Sequence, residues 1–320
     1  MEQPITFPLY DVLEKTFSKS LIQDLEAYYF PEVKDFKKWM CFSDYCFDDP
    51  NKPNNVMTFS LMPYIDDIGE LSDFIRTVAQ KDIKNTRKVN NAYINFLEKY
   101  PLINFAFILN HKKKILGQSA NSVVEFLKAS FNRIKQHYQV WIESQPEKTD
   151  HYRSIIKKLD KTIRQVEQQK KIKQVAEMFL VTYIGAFVSS LIVKKTQLEI
   201  FGWFSDRDAI HEVSDQLSAN LFEYFLFNFS DAHNYQYVTA SATSLDKPFY
   251  DQLLKIPDYI TGTLADFNFG EGTISKDKFD TVLTDYMADN ARNNFVFQIT
   301  PSSTDINCSR TTFHKKVKMF

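Results

Sequence analysis

Four aspartates stand where their surroundings make a free carboxylate costly or place it at a chain turn. Asp44 lies inside the aromatic run Trp39-Met40-Cys41-Phe42-Ser43-Asp44-Tyr45. Asp206 and Asp208 follow the apolar stretch that ends at Trp203-Phe204-Ser205. Asp258 sits within Leu254-Lys255-Ile256-Pro257-Asp258-Tyr259-Ile260-Thr261-Gly262. A carboxylate in apolar company costs free energy unless it is paired or bound to a cation. Brought together, these acids would hold one or two Mg2+ (or Mn2+) ions through oxygen ligands. Such ions activate water and stabilise the leaving oxygen of a phosphodiester. Local roles compete with this reading. Asp206 and Asp208 stand where a helix cap stands, and Pro257-Asp258 suits a first helical turn.

The elements that must carry these acids follow from periodicity. Residues 37–46 and 56–62 read as two strands around the turn-rich segment Asp48-Asp49-Pro50-Asn51-Lys52-Pro53-Asn54-Asn55, an antiparallel hairpin with a long loop. Residues 198–204 should join the same sheet. Leu102–Leu109 is a continuous apolar run suited to a strand covered on both faces. Further short strands are expected at 235–240 and 295–299. Helical spacing marks residues 9–30, a segment opened by Asp66-Asp67, 88–99, 119–143, 150–195, about 208–228, the later part of 249–267, and about 275–291. Pro31 is expected to end the first of these.

The aromatic-flanked Asp44 and the segment from Leu254 to Gly262 resemble two pieces of the RNase H-like superfamily, in particular a group of uncharacterised bacterial members. In that fold one acid sits on the first strand of an antiparallel hairpin, a second at the end of the fourth strand, and a third on a late helix packed beside them. The resemblance covers residues 37–63, 103–110 and 198–267. It implies an α/β fold with an RNase H-like mixed sheet, and leaves the N-terminal helix and block 115–196 unexplained. The helical spacing of 115–196 between strands marks that block as a large helical insertion, so the expected organisation is an N-terminal helix (1–36), an RNase H-like α/β core (37–114 and 197–320) and the helical insertion (115–196). The resemblance implies catalytic roles for Asp44, Asp206 and Asp258, metal ligation by these and Asp208, and the activity of a metal-dependent nuclease-like phosphodiester hydrolase. The chain departs from that group on the first strand, where Asp44-Tyr45-Cys46-Phe47 stands in place of Asp-Glu-Ser-Gly. Glu70 or Asp67 could supply a fourth ligand, though no motif fixes either.

Composition sets the limits. The chain has 320 residues, 44% of them hydrophobic and 25% charged, which excludes wholesale disorder. Seven glycines are too few for Gly-rich phosphate loops or a turn-dense propeller. With 39 Lys plus Arg against 40 Asp plus Glu, nucleic acid must be met by a local patch. The densest one is residues 151–173, with Arg153, Lys157, Lys158, Lys161 and Arg164 as candidate phosphate contacts. Asp266–Asp277 mimics a calcium loop, but Glu271 stands where the turn Gly belongs. Three cysteines without metal spacing, and an N-terminus without signal-peptide character, point to the cytoplasm. Phe179–Val193 is the most apolar run and is read as a buried helix, with no membrane association. The alternative function is a non-catalytic α/β interaction or regulatory protein that uses block 115–196 to bind a partner or a second copy of itself.

Overall fold

The computed structural model describes residues 8–65, 67–206, 209–231, 235–240, 248–290 and 292–315. The chain is α/β. Its seven strands are β1 (Lys38–Cys46), β2 (Val56–Pro63), β3 (Ile103–Leu109), β4 (Ile200–Ser205), β5 (Gln236–Thr239), β6 (Asn294–Pro301) and β7 (Ile306–Thr311). They form one mixed sheet in the order β5-β4-β1-β2-β3-β6-β7. β1 pairs antiparallel with β2 and parallel with β4, so the expected hairpin and its neighbour are both present. β3 is parallel to β6, and β7 closes that end of the sheet as an antiparallel edge strand.

Helices α1 (Pro8–Thr16), α2 (Ile22–Asp24) and α3 (Phe30–Val33) are joined by π turns into one helical run. Pro31 sits in the first turn of α3, where its missing N–H has no intrahelical partner to lose, so the run continues to Val33. The run buries Leu13, Phe17, Leu21 and Leu25. Phe17 stacks on Phe297 at 4.6 Å between ring centroids, and on Phe105 at 6.1 Å.

The opposite face of the sheet carries Met40, Phe42, Ala106, Ile108, Phe204 and Val296. It packs with α4 (Ile68–Val78), α5 (Asn91–Lys99) and two later helices, α11 (Lys255–Asp266) and α12 (Asp277–Val282). α11 lies against β1 and β2.

Two compact units divide the chain. The sheet unit is Pro8–Asn110, Leu191–Asp206 and the described residues beyond 231. The helical unit is His111–Ser190 with the described residues of 207–231. It contains α6 (Ala120–Ser144), α7 (Thr149–Glu167), most of α8 (Ile172–Lys195), α9 (Ala209–Glu212) and α10 (Leu217–Ser230). Block 115–196 is therefore helical, as its spacing predicts. The helix expected over 208–228 is broken between α9 and α10, where Ser214, Asp215 and Gln216 all take left-handed backbone.

Among the described residues α8 alone is long and apolar enough to cross a membrane. Its length exceeds what the apolar run by itself indicates, but 89% of its apolar window is buried inside the protein. Phe179 and Tyr183 on α8 pack against Phe225 of α10 at 5.5 and 5.0 Å.

Candidate metal centre

The parallel pairing of β1 and β4 sets two of the acids side by side. Ser43 is the register partner of Ser205. Asp44 and Asp206 are the residues that follow this pair, and Asp206 is the first residue past the end of β4. Phe42 and Phe204, two positions earlier on each strand, stack at 5.5 Å in the core beneath α11. Alternation along β1 therefore turns Asp44 toward α11.

α11 answers with Asp258 and Thr261, three residues apart and so on one helical face. The Thr261 hydroxyl lies 2.9 Å from Thr58 Oγ1 and 3.4 Å from the carbonyl oxygen of Asp44. Thr58 is itself the cross-strand partner of Asp44. Asp258 Oδ2 accepts the backbone N–H of Ile83 at 2.6 Å.

The three carboxylates feel one another. Burial pushes the Asp44 carboxyl well above its ordinary range; the charges of Asp258 and then Asp206 push it further. Hydrogen bonds from the Thr261 side chain and the Tyr45 backbone oppose this in part. Asp258 is pushed up to about 6, chiefly by burial and against the Ile83 N–H; Asp82 and Asp206 add to the rise. Crowding carboxylates in this way disfavours their ionised forms. A divalent cation removes that cost, and an all-oxygen donor set suits Mg2+ or Mn2+. An all-oxygen set is the chemistry such an ion takes, but among the described residues no group of three His, Cys, Asp or Glu side chains is placed to hold one. Asp208 lies outside the described residues.

The other polar groups considered for the site or lying near the acids in sequence stand as follows. Asp67 caps α4, its Oδ1 accepting the N–H groups of Gly69 and Glu70 at 2.7 and 3.2 Å. Glu70 is exposed in the first turn of that helix. The Cys46 thiol is pushed up to about 11, mainly by burial and the Asp49 charge, so it stays protonated at neutral pH. Asp266 clips its loop to Lys52 at 2.6 Å and to the Ser275 hydroxyl at 2.7 Å, a loop role and not a calcium site. His211 is pushed down to about 4 by burial and shares a 3.0 Å hydrogen bond with Ser218, so it is neutral.

The proposed phosphate contacts divide by exposure. Arg153, Lys157, Lys161 and Arg164 are exposed on α7; Lys158 is partly buried and donates to Asn220 at 3.1 Å. Lys161 pairs with Asp215 at 2.6 Å.

Sequence reasoning missed the clamp around Asp258. Lys255 donates to the carbonyl of Ala79, Tyr259 to that of Lys81 at 3.1 Å, and Lys278 to those of Ile83 and Lys84. Residues 79–86 are thus tied to α11 and α12 through their backbone. Thr261 was findable, one turn after Asp258; the clamp depends on backbone groups that leave no mark in residue type.

No family model, curated protein or solved structure matches this chain.

Proposed function

We propose that this protein is a metal-dependent phosphodiester hydrolase of the RNase H-like, nuclease type. Asp44, Asp206 and Asp258 hold the ion and Mg2+ or Mn2+ is the cofactor. The observation that carries the reading is the placement of Asp44 and Asp206 at matched positions on adjacent parallel strands, with Asp258 facing Asp44 from α11. This is the layout of a first-strand acid, a fourth-strand acid and a late-helix acid that the sequence resemblance implies. The bound ion would supply a polarised water and a counter-charge for the leaving oxygen. The chain's own residues prepare the site. Thr261 fixes the approach of α11 to β2 through the Thr58 hydroxyl and to β1 through the carbonyl oxygen of Asp44. The Ile83 N–H occupies Asp258 Oδ2, so Oδ1 is the oxygen that would hold the ion.

The test is thermal denaturation with and without millimolar Mn2+ or Mg2+, beside an assay on labelled oligonucleotides. Wild-type protein is expected to gain melting temperature on adding the ion, because a ligand that binds only the folded state stabilises it. Asp44→Asn should remove both that gain and any hydrolysis. A wild-type melting temperature indifferent to both ions would sink the proposal.

A further inference from the structure

The outward stripe of α7 carries three exposed cations that no carboxylate meets among the described residues. At 100° per residue, Arg153, Lys157 and Arg164 fall within about 40° of arc and span about 16 Å of helix. All three are exposed. They stand opposite the buried stripe of Ile155, Leu159, Thr162 and Val166, which anchors the helix and so holds the charges outward. Among the described residues none of the three meets a carboxylate. The acids nearest them on the helix are already taken: Asp160 pairs with Lys135 of α6 at 2.8 Å, and Glu167 with Lys128 of α6 at 3.6 Å. Asp150 remains, in the first turn, where the helix dipole already favours a negative charge. Lys161 and Lys158 are engaged within the unit and add nothing free. A chain of net charge −1 thus keeps a short row of unneutralised cations on one rigid helix.

We infer that this stripe binds the phosphate backbone of a nucleic acid, without reading its sequence. The row is linear and rigid, as a polyanion track requires. Two of its three cations are arginines, whose planar fork matches phosphate oxygens. Replacing condensed counterions by such cations is what drives backbone binding. The inference goes beyond the metal-site reading and does not depend on it, because no residue of the stripe belongs to the acid cluster.

The experiment titrates full-length protein with a labelled single-stranded oligonucleotide and with a labelled duplex, over a range of NaCl and in EDTA. Three phosphate contacts predict a plot of log affinity against log salt with slope of about −2 on the single strand and about −3 on the duplex. The triple variant Arg153→Ala/Lys157→Ala/Arg164→Ala should flatten that slope by about the same amount and weaken low-salt binding about tenfold or more, equally for unrelated sequences. Its melting temperature should match wild type, since the residues are exposed. The titration is in EDTA and so reads the stripe without any ion, while the metal site is tested by its own melting curves, so either reading can fail alone. Absence of wild-type binding at low salt would overturn the inference. So would a triple variant with unchanged slope, or binding to anionic lipid vesicles in place of both oligonucleotides.

Discussion

The backbone N–H of Ile83 holds Asp258 Oδ2 at 2.6 Å, while Ile83's own side chain sits against Gly262 one turn along the same helix. One residue of a short loop thus orients an acid and sets how close its helix can come. Lys278 and Tyr259 in turn hold that loop by its carbonyls.

Burial pushes Asp258 up to about 6 in the folded protein, from an ordinary carboxylate value near 3.8. The folded state therefore binds the proton more tightly, and stability falls as pH rises from about 4 to about 6. At neutral pH the ionised acid costs on the order of 2 to 3 kcal/mol. Asp258→Asn keeps an acceptor for Ile83 and removes the charge. In EDTA it should be more stable than wild type at pH 7 by about that amount, with the gap closing by pH 4. His211 acts in the opposite sense. Its folded value of about 4 means stability is lost as pH falls below about 6.5. The wild-type curve alone is therefore uninformative, and the difference between the two proteins, by urea denaturation at each pH, is the measurement. Equal stability at pH 7 would show that Asp258 is not held against its charge.

Gly262→Ala should destabilise despite the gain in helix propensity of about 1 kcal/mol. A Cβ at position 262 would lie 2.5 Å from Ile83 Cγ2, and Ile83 is buried with nowhere to retreat. Overpacking of this kind costs about 1 to 3 kcal/mol. The loss should be smaller in an Ile83→Leu background, which lacks the branched methyl. Equal losses in the two backgrounds, read from denaturation midpoints, would place the strain elsewhere.

Alternation and turn chemistry made the β1–β2 hairpin legible, and the apolar continuity of Ile103–Leu109 did the same for β3, because burial imposes residue type there. Asp44 and Asp258 stood out because acids in apolar company need a reason. Other features left no such mark. β7 is polar along most of its length, at Asn307, Ser309, Arg310 and Thr311, as an edge strand permits. The break at Ser214–Gln216 has left-handed backbone without a single glycine to announce it. The Ile83 clamp uses main-chain atoms, which every residue has. Pro31 misled because a proline that ends one helix also suits the first turn of the next.

Phe17→Ala should cost about 3 to 5 kcal/mol. The ring is 1% exposed and stacks with Phe297, Phe105 and Phe107 in the middle of one sheet face. Tyr28→Ala, on the same helical run but 63% exposed, should change stability by less than about 0.5 kcal/mol. Similar losses for the two variants in urea would mean that the run does not dock on the sheet.

In the helical unit, Lys112 and Glu177 form an ion pair whose side chains are 5% and 8% exposed. Lys112 opens a short helical turn after the left-handed His111, and Glu177 lies in the first turns of α8. Attraction across so dry a contact is large, yet it is spent largely on stripping water from both ions. Breaking the pair and replacing it therefore have opposite consequences. Glu177→Gln takes the carboxylate away from a buried ion pair and should be destabilising, by up to about 3 to 5 kcal/mol. Lys112→Met with Glu177→Leu removes both charges at similar volume and should lie within about 1 kcal/mol of wild type, or above it. A double-mutant cycle from urea midpoints measures the coupling, and salt should change it little because no counterion reaches the contact. A loss below about 0.5 kcal/mol for Glu177→Gln would show the pair to be solvated, as exposed pairs are.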